Sequence, residues 1–154
     1  VAMGRRAAEL VIKNGKLVNV NTKEIIEGVD VAVYKGRIAL VGDASGCIKD
    51  DTEVIDATGY YLAPGFMDGH IHVESSMLTV SQYSNTVVPH GTTAIYMDPH
   101  EIANVLGLDG VKLMMDESKS VPLRVYATVP SCVPAAPGFE DAGAVIDADR
   151  SPRQ

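Results

Sequence analysis

The hydrophobic pattern changes period at Pro64-Gly65, and that change constrains the fold more than any other feature of the chain. Downstream of it, short apolar runs alternate with stretches whose apolar residues recur at helical spacing. "GFMDGHIHV" reads as a strand, "TVSQYSNTVVPHG" as a helix, "TTAIYMD" as a strand, "HEIANVLGLDGVKLMMDESKS" as a helix and "LRVYATVP" as a strand. Strands that alternate with helices pair in parallel, because each crossover helix carries the chain back to the same edge. The expected class is α/β, and the pattern opens either a (β/α)8 barrel or a smaller open sheet. A complete barrel takes roughly 250 residues, more than the 154 present.

Upstream, from Glu9 to about Leu62, the chain reads as short strands joined by tight turns: "ELVIKNG", "KLVNV", "GVDVAVYKG", "RIALVG", "EVIDATG" and "YYLAPG". Asn14-Gly15 and Lys35-Gly36 both suit two-residue hairpin turns that need positive φ, so an antiparallel sheet is expected. The domain reading is therefore a small β domain over residues 1–63 and an incomplete barrel over 64–154.

Composition removes several function classes. A formal charge of −7 and a pI near 4.9 disfavour a phosphate-backbone partner, so no nucleic acid is expected. Hydrophobic residues make up 46% of the chain, yet no run approaches the roughly 18 apolar residues of a membrane span. "VAMGRRAAEL" lacks the apolar core of a secretory signal, and Met3 is a candidate start. Cys47 and Cys132 stand far apart without a CxxC pair, which fits a reducing cytoplasm and two small buried hydrophobes rather than a disulfide or thiolate metal site.

Chemistry concentrates in two clusters. In "PGFMDGHIHVESSM" strand alternation puts His70, His72 and Glu74 on one face, where they converge if they lie at the carboxyl end of the strand. Imidazole nitrogens suit Zn, Mn or Fe, and a carboxylate widens the choice toward harder ions; the alternative is a pair of satisfied polar histidines in a sheet. "MDPHEIANV" follows the next strand and brings Asp98, His100 and Glu101 to the same end. Asp98 as N-cap, Pro99 at the first helical position and Glu101 three residues after the cap also read as a capping box. Capping does not call for a histidine at 100, so cap and site both stand. "VPSCVPAAPG", residues 129–138, follows the third strand as a rigid loop offering hydroxyl and thiol groups, while His90 in "PHGTT" falls at the amino end of the strands. There is no GxGxxG, GxxxxGK[ST] or GxSxG, and "PSCVPA" has only one Cys of the PCxxC half that a zinc nucleobase deaminase requires.

Taken together, "PGFMDGHIHVESSML", "HGTTAIYMDPHEIANVLGLDGV" and "VPSCVPAAP" resemble the adenine deaminase family of the amidohydrolase superfamily. The resemblance runs in order from about Glu9 to Gly143, and "ESSML" and "DPHEIANVLG" are more specific than the superfamily-wide PGxxDxHxH. It implies the N-terminal part of a (β/α)8 amidohydrolase barrel, preceded by a segment of a small β-sandwich-type domain. By the same resemblance, His70 and His72 contribute to a two-metal centre, with Mn the expected occupant and Fe or Zn the alternatives. The implied reaction is hydrolysis of adenine to hypoxanthine and ammonia by a metal-activated hydroxide, in cytoplasmic purine salvage or adenine catabolism. Glu74, Asp98, His100 and Glu101 are carried as residues that contact substrate or support the metal site. Glu74 stands where dihydroorotases present an arginine.

The resemblance also implies that later ligands come from strands beyond this sequence. An N-terminal portion is therefore expected, binding metal weakly and turning over little or nothing alone, with homo-oligomers formed by the full-length enzyme. Two rival readings remain: another amidohydrolase, such as a hydantoinase-like or dihydroorotase-like cyclic amidase, and a non-catalytic remnant or assembly subunit with exposed sheet edges.

Overall fold

The computed structural model of the chain describes residues 1–130, 133–139 and 143–146. It divides into two compact units, Val1–Pro64 and Gly65–Gln154.

The first unit is a sheet of five strands: β1 (Leu10–Asn19), β2 (Glu24–Tyr34), β3 (Arg37–Gly42), β4 (Glu53–Asp56) and β5 (Tyr61–Leu62). The path runs β3-β2-β1-β4, and β5 pairs with β1 further along. Val11 and Ala32 face each other across β1 and β2 and are buried with Ala8, Ala44 and Cys47. Cys47 thus fills the small-hydrophobe role expected of it, whereas Cys132 lies outside the described residues. Lys35 and Gly36 form the anticipated turn, with φ of 51° and 67°, between antiparallel β2 and β3.

Asn14-Gly15 does something other than the hairpin expected of it. Both residues lie inside one long strand, at a register shift in the β1–β2 ladder. Up to Lys13 the strand pairs in parallel with β4, and from Lys16 it pairs in parallel with β5, so the sheet is mixed rather than antiparallel. Asn14, at φ 59°, makes the bulge between the two pairings. Gly15 is needed for space, since a Cβ there would sit 2.4 Å from the Leu62 side chain.

The second unit is a parallel sheet in the order β6 (Phe66–Ile71), β7 (Thr92–Met97), β8 (Arg124–Ala127). Helix α1 (Val80–Val87) connects the first pair and α2 (His100–Ser118) the second, as the hydrophobic alternation foretells. Ile95 and Met97 of the central strand are fully buried with Val73, Val80, Met114 and Leu123. Alternation turns Tyr96 to the other face, where its ring stacks on Tyr126 with centroids 5.2 Å apart. The single helix expected over residues 100–120 is broken at Gly107, whose φ of 60° and ψ of −144° are closed to other residues. The break frees the Asn104 carbonyl, which accepts the Ala144 N–H at 3.0 Å. No helix among the described residues is long and apolar enough to cross a membrane.

The helices are tied together by Glu117 near the end of α2, whose carboxylate accepts the Val80 and Ser81 N–H groups at the start of α1, both at 3.1 Å. Burial raises its pKa, but hydrogen bonds from Ser81, Thr79 and the two amides outweigh this and hold it below the ordinary value of 4.5. A depressed folded-state pKa means stabilisation that is complete above 4.5 and lost as pH falls through the lower folded value. Glu117→Gln is therefore expected to destabilise the chain by about 1 kcal/mol at neutral pH. Urea titrations from pH 7 to 3 should show the gap between wild type and variant closing below the carboxylate range. A constant gap would remove the charge from the explanation.

Candidate metal centre

His70 and His72 flank Ile71, which packs against the core beneath the helices. His72, the residue after the strand, keeps an extended backbone (φ −97°, ψ 100°), so alternation still turns both imidazoles to the opposite face, and their Nε2 atoms come within 3.1 Å. A bulge between Asp68 and Ile71 shapes this strand end. Asp68 Oδ1 accepts the His70 N–H at 3.0 Å within that bulge.

Asp98 follows β7 and is drawn to the same end, its N–H donating to the Ile71 carbonyl at 2.8 Å. Its Oδ2 lies 4.0 Å from His70 Nε2. Its Oδ1 is buried and has no hydrogen-bond partner among the described residues. One donor atom from each of His70, His72 and Asp98 falls within 4.8 Å of the others. Ligands bound at about 2.0–2.2 Å around one ion stand roughly 3 Å apart, so the imidazole pair has the spacing of neighbouring ligands. The Asp98 carboxylate, with Oδ2 beside the pair and Oδ1 unpartnered among the described residues, completes a borderline-to-hard donor set. These residues fit a divalent metal, and the His70 side chain, 60% exposed, leaves one side open to further ligands.

Glu101 approaches from α2. Its Oε2 lies 3.0 Å from His72 Nδ1, and its Oε1 accepts the Ser75 hydroxyl at 2.8 Å. Burial raises the Glu101 pKa, but hydrogen bonds from Ser75 and its own backbone, with the charge and hydrogen bond of His72, bring it below the usual value. Sequence reasoning reached Glu101 but not Ser75, although Ser75 stands in the quoted "ESSM".

The capping box expected of "DPHE" does not form. Pro99, at φ −80° and ψ 49°, is itself the N-cap, and no side chain of the cap position bonds the helix. Asp98 is thereby one residue too far out to cap, and Glu101 sits one position earlier in the helix than the motif requires. The acceptor comes instead from Glu74, whose Oε1 takes the Ile102 N–H at 3.0 Å. Glu74 was expected to share a face with the histidines, but β6 ends at Ile71 and a 3-10 turn, Val73–Ser76, follows. Strand alternation stops with the strand. The second Glu74 oxygen is buried without a partner among the described residues. His100 lies beside the site, its ring centroid 6.2 Å from that of His72. His90 occupies the turn before β7, at the far end of that strand. Ser131 and Cys132 lie outside the described residues.

Residues 61–153 match the amidohydrolase family, and the chain belongs to it. Its parallel strands with crossover helices are accordingly the opening of an amidohydrolase barrel rather than a small open sheet. Among individual proteins, it is 67% identical over 144 residues to an adenine deaminase of Moorella thermoacetica, covering 94% of this chain and 24% of that protein. An adenine deaminase of Clostridium botulinum is 64% identical, with 95% of this chain and 24% of that protein covered. The chain thus spans about a quarter of the length of the curated relatives it matches. Among solved structures, an adenine deaminase aligns at a TM-score of 0.54 and 25% identity, over 79% of this chain and 30% of that one. An N-acyl-D-glutamate deacylase of Bordetella bronchiseptica aligns at 0.60 and 21% identity, over 80% and 30%, a likeness of fold alone.

Proposed function

We propose that this chain is the N-terminal, metal-ligating portion of an adenine deaminase, which hydrolyses adenine to hypoxanthine and ammonia. One observation carries the reading: His70, His72 and Asp98 converge at the carboxyl end of parallel strands in a chain 67% identical to an adenine deaminase. His70 and His72 hold the ion through Nε2, and Asp98 is the third donor through its carboxylate, whose Oδ2 lies 4.0 Å from His70 Nε2. Manganese is our choice of metal, with iron or zinc as alternatives, since the donors mix imidazole and carboxylate. When bound, such an ion acidifies a coordinated water and offsets negative charge that builds up on the substrate.

The residues themselves supply placement. His100 stands next to His72 and is assigned to the substrate side of the site. Glu74, committed to the Ile102 N–H, anchors the turn after β6 to α2. We place the reaction in cytoplasmic adenine catabolism, with adenine as the small-molecule partner, and assign homo-oligomers to the full-length enzyme.

A chimera tests the assignment. This chain would replace the matching 144 residues of the Moorella thermoacetica protein. Ammonia release from adenine is expected within about tenfold of the parent, a loss of no more than ~1.4 kcal/mol in transition-state stabilisation. The chain alone, with manganese added, is expected to release none above background. A chimera that hydrolyses cyclic amides and leaves adenine untouched would sink the proposal, and robust turnover by the isolated chain would sink its incomplete-site half.

A further inference from the structure

The hydrogen bonds around His72 run in one direction. An ionised carboxylate only accepts, so Glu101 Oε2, 3.0 Å from His72 Nδ1, requires the proton on that nitrogen. In the neutral imidazole, the form that binds a metal, His72 Nε2 is then a bare lone pair, and it is the atom that faces His70 Nε2 at 3.1 Å. Glu101 cannot easily swing away, because Ser75 donates to its other oxygen at 2.8 Å. The turn that carries Glu101 is held as well, since Glu74 Oε1 takes the N–H of the next residue, Ile102. Two segments on either side of the histidine are thus pinned to each other: the 3-10 turn Val73–Ser76 and the first turn of α2.

We infer that Glu101, steadied by Ser75, is a positioning residue that locks His72 in its Nδ1–H tautomer and so presents Nε2 to a metal ion. The inference rests on the reading of His72 as a ligand and deepens it. It also separates Glu101 from the acids that touch substrate: both of its oxygens are committed, one to the hydroxyl and one to the imidazole. A carboxylate behind a metal-binding imidazole fixes ring orientation and raises ligand basicity, and its loss typically costs 10- to 100-fold in metal affinity.

The test reads the tautomer directly. Long-range proton–nitrogen correlation spectra of the metal-free chain labelled with 15N-histidine, in buffer alkaline enough to keep imidazole neutral, report which His72 nitrogen carries the proton. Wild type is expected to show Nδ1–H, and Glu101→Ala a shift toward Nε2–H with a 10- to 100-fold weaker manganese affinity. Glu101→Gln keeps the packing, and its amide can accept from Nδ1–H or donate to a bare Nδ1. Both tautomers should then be populated and the loss of affinity smaller. Should the alanine variant fail to fold, the glutamine variant decides: an unchanged tautomer with unchanged affinity in it overturns the inference. If wild type binds no manganese yet its tautomer still responds to Glu101, the ligand reading of His72 fails and the lock stands. If manganese binds through His72 and the tautomer ignores Glu101, the lock fails and the ligand reading stands.

Discussion

Alanine in place of His72 is expected to cut manganese affinity by at least about 100-fold, more than the removal of any single supporting group. The reason is the donor count. Among the described residues, His70, His72 and Asp98 are the group whose donor atoms come within 4.8 Å of one another, and sites with an open position generally keep three protein ligands. Two donors hold an ion no better than scattered surface groups. His70→Ala should match His72→Ala, because the two nitrogens stand as neighbours at 3.1 Å. Asp98→Ala should weaken binding less if water replaces the carboxylate, by about tenfold. His90→Ala is the control, since His90 sits in the turn before β7, at the opposite end of the strand from the site. Electron paramagnetic resonance of free manganese gives each affinity in one titration series. A His72→Ala chain that binds within threefold of wild type, or a His90→Ala chain that does not, would show that the histidine pair is not the metal site.

The site's two imidazoles were legible because their convergence needs only local geometry. Ile71 points into the helix-covered core, so its neighbours on either side must point out together. The same rule misled at Glu74, where the strand had already ended and a 3-10 turn sent the carboxylate to α2. "DPHE" failed as a capping box for a related reason: a shift of one residue in the helix start moved Pro99 onto the cap and left Asp98 free to join the histidines. Neither offset is written in the local sequence. Both depend on how the turn after β6 packs on α2, and the buried Glu74 oxygen shows how closely those parts meet. Gly107 was likewise read as one more residue of a helix, because the contact that favours the break, Ala144 N–H on the Asn104 carbonyl, comes from 40 residues downstream.

Lys35-Gly36 and Asn14-Gly15 make the sharpest contrast: Lys35, Gly36 and Asn14 all take positive φ, Gly15 does not, and only the first pair is a hairpin. What separates them is Asp30, a carboxylate 6% exposed in the middle of β2. Its Oδ1 accepts the Asn14 N–H at 3.0 Å, and its Oδ2 accepts the Ala44 N–H at 3.1 Å. The bulge in β1 is thereby satisfied by a side chain from the next strand, and the strand continues instead of turning back. Asp30→Ala should strand both amides, but unequally. Asn14 is exposed and regains water, whereas Ala44 is fully buried beside Cys47 and does not. Loss of a charged acceptor plus one dry, unpaired N–H costs about 3 kcal/mol, a large share of the 5–15 kcal/mol typical of a domain. Asp30→Asn should fall between the two, because its amide keeps one acceptor and turns a donor toward the other N–H. Hydrogen exchange should locate the damage, with the Ala44 amide losing far more protection than that of Asn14, while guanidinium denaturation gives the total. Exposed Asp56, which also receives a bond from Asn14, through its side-chain amide, should matter much less when replaced. An Asp30→Ala chain as stable as wild type would mean that the bulge is held by the β4-to-β5 change of partner alone.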